Sequence, residues 1–167
     1  YDKINDIIVH TEHGPRGGDE ININLNTDNK VIENFGWPIS SYGEHYDRKY
    51  RKHAPLFKSH DKYGFIEPIK YFTPSIGISE VIKIPNNFNK SFVNDFYVTA
   101  LGWKSQVHEG DLSIHHVRFD KLFKKIIFED IIKVDSRIRD IIYLDDEKVF
   151  ALLLESLPAI GIMKLDN

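Results

Sequence analysis

Asp95-Phe96-Tyr97-Val98-Thr99-Ala100-Leu101, then a loop, then a run ending Val117-Arg118-Phe119-Asp120: this stretch decides how the chain is read, because its pattern comes again. The second copy is Lys148-Val149-Phe150-Ala151-Leu152-Leu153-Leu154, a loop, and a run ending Met163-Lys164-Leu165-Asp166. The offset of about 46–54 residues is the size of one four-stranded propeller blade, although any β-meander gives hairpins at similar spacing. Outward from these two hairpins, short apolar or alternating runs bounded by turn residues predict strands over 5–10, 19–25, 78–84, 95–101, 111–119, 124–133, 139–144, 148–155 and 159–165. Only 121–134 carries an ambiguous helical spacing. The fold class is all-β.

The 167 residues are 41% hydrophobic and 13% aromatic, enough to bury a core and too apolar for a disordered chain. With 22 Lys plus Arg against 25 Asp plus Glu, the formal charge of −3 gives no general electrostatic reason to bind nucleic acid or an anionic membrane. No apolar run reaches the roughly 18–20 residues that membrane insertion requires. The absence of cysteine excludes disulfides, thiolate metal sites and a Cys nucleophile, and suits an exported or a cytosolic chain equally. The chain opens at Tyr1 rather than Met, with the apolar run Ile7-Ile8-Val9 close behind, so a processed or truncated piece of something larger is expected.

Residues 34–73 read differently, with Gly36, Pro38, Gly43, Pro55, Gly64 and Pro68 among many aromatic and charged residues and no clean strand. A connection of this length is commonly functional or disordered, and its aromatics argue against disorder. It is expected to fold over the active-site face as a long loop.

Two constellations could carry chemistry. In His13-Gly14-Pro15-Arg16-Gly17-Gly18-Asp19-Glu20, proline lacks an amide hydrogen and the glycines allow sharp bends, so carbonyl oxygens can turn outward and meet a hard cation such as Ca²⁺. The plainer reading is a Gly-rich turn with Asp19 and Glu20 in solvent. In Ser136-Arg137-Ile138-Arg139-Asp140, strand alternation puts Arg137 and Arg139 on one face, where two adjacent cations would welcome an anion. The plainer reading is a solvated face neutralised by Asp135 and Asp140. Among the eight histidines, His10 and His13 could join a zinc site with an acidic residue, but no HExxH-like signature exists, and His115 and His116 should point to opposite faces. The basic run from Arg48 to His53 reads as a solvated loop.

Glu12-His13-Gly14-Pro15-Arg16-Gly17-Gly18-Asp19-Glu20-Ile21-Asn22, with Asn34-Phe35-Gly36-Trp37-Pro38 and Ser41-Tyr42-Gly43 after it, resembles the soluble pyrroloquinoline quinone (PQQ)-dependent glucose/sorbosone and aldose sugar dehydrogenases. The order continues through Pro74-Ser75-Ile76-Gly77-Ile78-Ser79, Phe96 to Leu101 and Arg137-Ile138-Arg139-Asp140, nearly the whole chain. The resemblance implies a six-bladed β-propeller of four-stranded antiparallel blades, of which residues 1–167 would be the C-terminal three to four blades of one domain. A half-propeller exposes two apolar blade faces, surfaces through which a homodimer could form.

The resemblance further implies that Gly14 and Pro15 offer backbone carbonyls to Ca²⁺, and that Arg137 and Arg139 bind the carboxylates of PQQ. It also implies that Asp19 lies near the cofactor, that Lys104 helps bind it, although Gly102-Trp103-Lys104-Ser105 departs from the family pattern, and that Phe72 borders the sugar pocket. The implied activity is oxidation of an aldose at its anomeric carbon to a lactone, with hydride passing to the Ca²⁺-bound quinone and onward to an electron acceptor. No histidine here matches the family's catalytic base, which is expected in the N-terminal half, so this chain alone should be inactive. The implied location is the periplasm or outside the cell. The alternative is a non-catalytic propeller of the same superfamily that binds a protein or glycan.

Overall fold

A computed structural model describes residues 1–28, 32–102, 110–156 and 158–165, and Lys104 lies outside the described residues. The chain divides into two compact units, Tyr1–Ser75 and Ile76–Asn167.

In the first unit, β1 (Ile8–Glu12), β2 (Asp19–Asn24) and β3 (Lys70–Phe72) form an antiparallel sheet in the order β1-β2-β3. Central β2 is buried along nearly its whole length, with Asp19 paired to Phe72 and Asn22 to His10. β1 starts later than the alternation from Asn5 suggests. Asp2 bridges to Ile7, Asp6 turns through φ 54°, and the Asp2 carboxylate accepts from Ile4 N and Asn5 Nδ2, so residues 2–7 close a tight turn instead. Within 34–73 the structure forms β3, a 3₁₀ turn (Asp61–Tyr63) and one helix, α1 (Arg48–His53). The basic run is therefore helical rather than loop. Asp47 caps it by accepting from Lys49 N at 2.8 Å, and Arg51, Lys52 and His53 lie at the C-terminal end, where the helix dipole favours cations.

In the second unit, β4 (Ile78–Lys83), β5 (Asp95–Ala100), β6 (Ser113–Phe119) and β7 (Ile126–Lys133) form a four-stranded antiparallel sheet in sequence order. β8 (Ile138–Leu144), β9 (Val149–Leu154) and β10 (Ala159–Met163) form a three-stranded sheet in the order β10-β9-β8. The two repeat copies are thus β5-β6 and β9-β10, each preceded by a strand that pairs with its first member. The ambiguous 121–134 stretch resolves as strand. Phe123 turns through φ 54° and the Asp120 carboxylate accepts from Lys124 N at 2.7 Å, closing a β6-β7 hairpin that leaves no room for a helical turn to propagate. Among the described residues no helix is long and apolar enough to cross a membrane.

The core of this unit is Ile84, Phe88, Tyr97, Ile114, Ile138, Ile141, Phe150 and Leu152, drawn from both of its sheets. Phe150 packs edge-on against Phe88 (4.9 Å) and Tyr97 (5.1 Å), an arrangement the ring quadrupoles favour. Phe150→Ala is expected to lower unfolding stability by about 3–5 kcal/mol in urea, whereas Leu122→Ala, at an exposed position, should stay within about 0.5 kcal/mol. Equal costs would contradict this placement of the core.

Candidate functional site

In the first unit the loop between β1 and β2 is shaped by what it cannot hold. A Cβ on Gly14 would lie 2.1 Å from Gly17 O, and Gly17 and Gly18 turn through φ 84° and 75°, conformations glycine adopts without strain. Arg16 and Glu44 exchange two backbone hydrogen bonds of 2.9 Å, and Gly18 N donates to Phe72 O at 2.7 Å, so the loop is pinned on both flanks. Among the described residues the carbonyls of Gly14 and Pro15 accept no backbone hydrogen bond. Two such oxygens on a fixed turn are a donor set that a hard cation accepts.

Asp19 and Glu20, adjacent on β2, are both buried, at 1% and 4% exposure, which overturns the reading that leaves them in solvent. Asp19 Oδ1 accepts from Gly14 N and from Ser75 Oγ, each at 2.9 Å, and so ties the loop to the end of the unit. Glu20 faces a small cavity lined also by His13, Gly14, Gly18, Phe35 and Trp37. Burial pushes its carboxyl up to about 7, opposed by the Asn22 Nδ2 hydrogen bond and helped by Glu12, Glu67 and Asp19. The ring of His60, wholly buried, sits with Nε2 3.4 Å from Glu20 Oε1 and Nδ1 3.6 Å from Glu67 Oε2, and neither nitrogen is hydrogen-bonded. Burial lowers its pKa, so it supplies Glu20 with no compensating charge. Tyr42 stacks on His60 and on Tyr71 (3.7 Å, 5°) while its hydroxyl donates to Glu67 at 2.8 Å. The sequence reading names Glu20 only as part of the turn and gives no role to His60, Glu67 or the tyrosine pair. The available signal was Glu20 in Gly-Gly-Asp-Glu, where alternation makes one of two neighbouring carboxylates face inward. Phe72 is buried on β3, with Lys70 Nζ 4.9 Å from its ring centroid, and its neighbour Tyr71 is 47% exposed.

In the second unit, Arg137 and Arg139 reach one carboxylate oxygen, Glu155 Oε2, from Nε of each, the Arg137 contact being 3.2 Å. Arg139 is the extra residue of a bulge, since Ile138 pairs with Leu154 and Asp140 with Leu153. The bulge interrupts the alternation from which one face was expected, yet both guanidiniums meet at the same Glu155 oxygen. The neutralising partner is not the expected one: Glu155, just past β9, takes the place expected for Asp135 and Asp140. Asp140 instead accepts from Ile141 N at 2.8 Å. His115 and His116 do diverge, His115 bonding Gly110 O and Glu129, His116 bonding Asp95. Among the described residues no three His, Asp or Glu side chains group as a metal site.

The sequence profile described as Glucose / Sorbosone dehydrogenase matches residues 1–157. The chain belongs to the glucose/sorbosone dehydrogenase family. An uncharacterised protein of Synechocystis is 26% identical over 91% of this chain, and the aldose sugar dehydrogenase YliI of Escherichia coli is 37% identical over 41% of it. The chain spans 32% and 16% of those proteins. Among solved structures, a glucose dehydrogenase superposes with a TM-score of 0.72 at 24% identity, covering 99% of this chain and 43% of that one. The E. coli aldose sugar dehydrogenase in its apo form gives 0.67 at 23%, covering 98% and 42%. Those likenesses show the fold: the antiparallel sheets are blades of the family's β-propeller, and the chain matches well under half of it.

Glu20 gives a signed pH effect. Its folded pKa exceeds the ordinary 4.5, so the stability gained from protonating it is fully present below about pH 4.5 and lost as pH rises through about 7. Glu20→Gln is accordingly expected to leave thermal stability nearly unchanged at pH 5 and to raise it by about 1–3 kcal/mol at pH 8–9. Melting curves across that range check it, and a difference independent of pH would refute the buried carboxyl as its source.

Proposed function

We propose that this chain is part of a Ca²⁺- and PQQ-dependent aldose dehydrogenase, periplasmic or secreted, that oxidises the anomeric carbon of a sugar to a lactone and passes the electrons to an acceptor. The observation that carries the reading is the convergence of Arg137 and Arg139 on one carboxylate oxygen in a chain of a sugar dehydrogenase family. A guanidinium pair that gathers around a carboxylate has the geometry a polycarboxylated quinone requires.

The residues present fit both groups. Gly14 and Pro15 would hold Ca²⁺ through carbonyls that no backbone donor engages among the described residues, on a turn into which no side chain fits at Gly14. Arg137 and Arg139 would hold PQQ by its carboxylates. When bound, the pair of cofactors supplies a two-electron acceptor whose carbonyl is polarised by a Lewis acid. Asp19 would help fix the turn by accepting from Gly14 N. Glu20, whose carboxyl burial pushes up to about 7 beside the same loop, can take or release a proton near neutral pH. The general base that removes the anomeric hydroxyl proton is expected outside this chain.

The test is reconstitution of the protein at its natural full length with PQQ and Ca²⁺, followed by quinone absorbance on adding aldoses. Reduction that vanishes with EDTA supports the reading; binding without reduction favours a non-catalytic propeller. Arg137→Ala is expected to weaken PQQ binding by about 1.5–3 kcal/mol, the worth of a charge-assisted contact, and an unchanged affinity would remove Arg137 from the site.

A further inference from the structure

Arg137 and Arg139 share Glu155, but they are not held alike. Arg137 also donates Nη1 to the Gly102 carbonyl at 2.9 Å, its backbone N donates to Ser156 Oγ at 3.0 Å, and its carbonyl accepts from Glu155 N at 2.9 Å. The Arg139 side chain, 48% exposed, has Glu155 as its one hydrogen-bonding or ion-pairing partner among the described residues. The Glu155 carboxylate is itself 40% exposed, and the two guanidiniums, Arg139 foremost, hold its pKa below the usual range. Glu155 is therefore ionised at neutral pH and sits at the Nε edge of both cations.

This arrangement answers the problem that two neighbouring guanidiniums pose. Without a carboxylate between them their like charges repel; with one they are kept close and oriented. An exposed ion pair is weak and readily exchanged, so the carboxylate that keeps the pair together is also one that another anion can replace. Arg137 would stay in place during such an exchange, because Gly102 and Ser156 hold it independently of the Glu155 side chain. Arg139 would follow the incoming group.

We infer that Glu155 is a displaceable counter-ion built into the anion site: it keeps Arg137 and Arg139 ready when no ligand is bound and competes with the ligand's own carboxylate. The inference rests on the cofactor reading above and adds a selectivity to it. A monocarboxylate merely exchanges with Glu155 and gains little, whereas a ligand bearing several carboxylates displaces it and makes contacts that Glu155 cannot. Glu155 thus sets a threshold that small organic acids fail to cross.

The experiment is calorimetric titration of the full-length protein with PQQ in the presence of Ca²⁺, for the wild type, Glu155→Gln and Arg137→Ala, with acetate as a competing monocarboxylate. Glu155→Gln keeps the shape and removes the charge, and at an exposed position it should leave the melting temperature unchanged. It is expected to tighten PQQ binding about 3- to 10-fold and to make that binding sensitive to acetate, which the wild type resists. In parallel, the Glu155 carboxyl carbon, followed by NMR, should titrate below the ordinary range in the apo protein and return toward it when PQQ is added. If Arg137→Ala weakens PQQ while Glu155→Gln leaves the affinity equal or weaker, the counter-ion role is overturned and the cofactor reading stands. If Arg137→Ala changes nothing, the cofactor reading fails, and the Glu155 role fails with it.

Discussion

Two stretches of main chain in the first unit approach so closely that neither tolerates a side chain. A Cβ on Gly18 would lie 2.2 Å from Gly43 N, and one on Gly43 would lie 2.1 Å from Gly17 O. The shape of the β1-β2 loop follows from that approach. It lets the 34–73 segment lie directly on the loop, so that Arg16 and Glu44 can pair backbone to backbone. With both flanks fixed, the Gly14 and Pro15 carbonyls accept no backbone hydrogen bond among the described residues. A loop cushioned by side chains would have relaxed and satisfied them itself.

The same packing explains why two adjacent acids behave so differently. Asp19 is buried yet spends its carboxylate on Gly14 N and Ser75 Oγ, donors that stabilise the charged form. Glu20 points the other way, into a space whose nearest base is a desolvated His60 and whose surrounding charges are Glu12, Glu67 and Asp19. Burial among like charges, which the 3.3 Å hydrogen bond from Asn22 Nδ2 offsets only in part, pushes it toward the neutral form. One strand thus carries a carboxyl tied into the loop and a carboxyl pushed toward its neutral form side by side, separated only by the alternation of the pleat.

Much of this was legible because it is local. The β5-β6 and β9-β10 copies show in the sequence since strand period and hairpin spacing are properties of short segments. The glycines of the β1-β2 loop advertise a backbone that must bend, and the Arg137-x-Arg139 spacing advertises one face. Features that depend on pairing across the chain were not legible. Nothing near Arg139 names Glu155 as its partner, because that choice is made by the β8-β9 register and a bulge at Arg139 itself. The basic run hides its helix because that helix depends on a single cap, Asp47, rather than on apolar periodicity. The strand expected from Asn5 lost to a turn organised by the Asp2 side chain, an interaction that hydropathy patterns do not register.

Arginine has two fates in the second unit, and the contrast bears on the proposed anion site. Arg118 gives Nε and Nη2 to Asp95, a wholly buried carboxylate that also receives His116 Nε2, and its guanidinium lies over the rings of Phe92 (5.9 Å) and Phe128 (5.5 Å). Each of those partners belongs to the fold, and losing Arg118 would leave a buried charge with a diminished shell, the costly kind of loss. Arg137 and Arg139 are gathered around an exposed carboxylate at the end of a strand, where an ion pair adds little to stability. Folding has no use for two cations there that one would not meet as well. What the pair gains over a single arginine is a second fork on the same face, and that is an advantage only to an anion with more than one group to place.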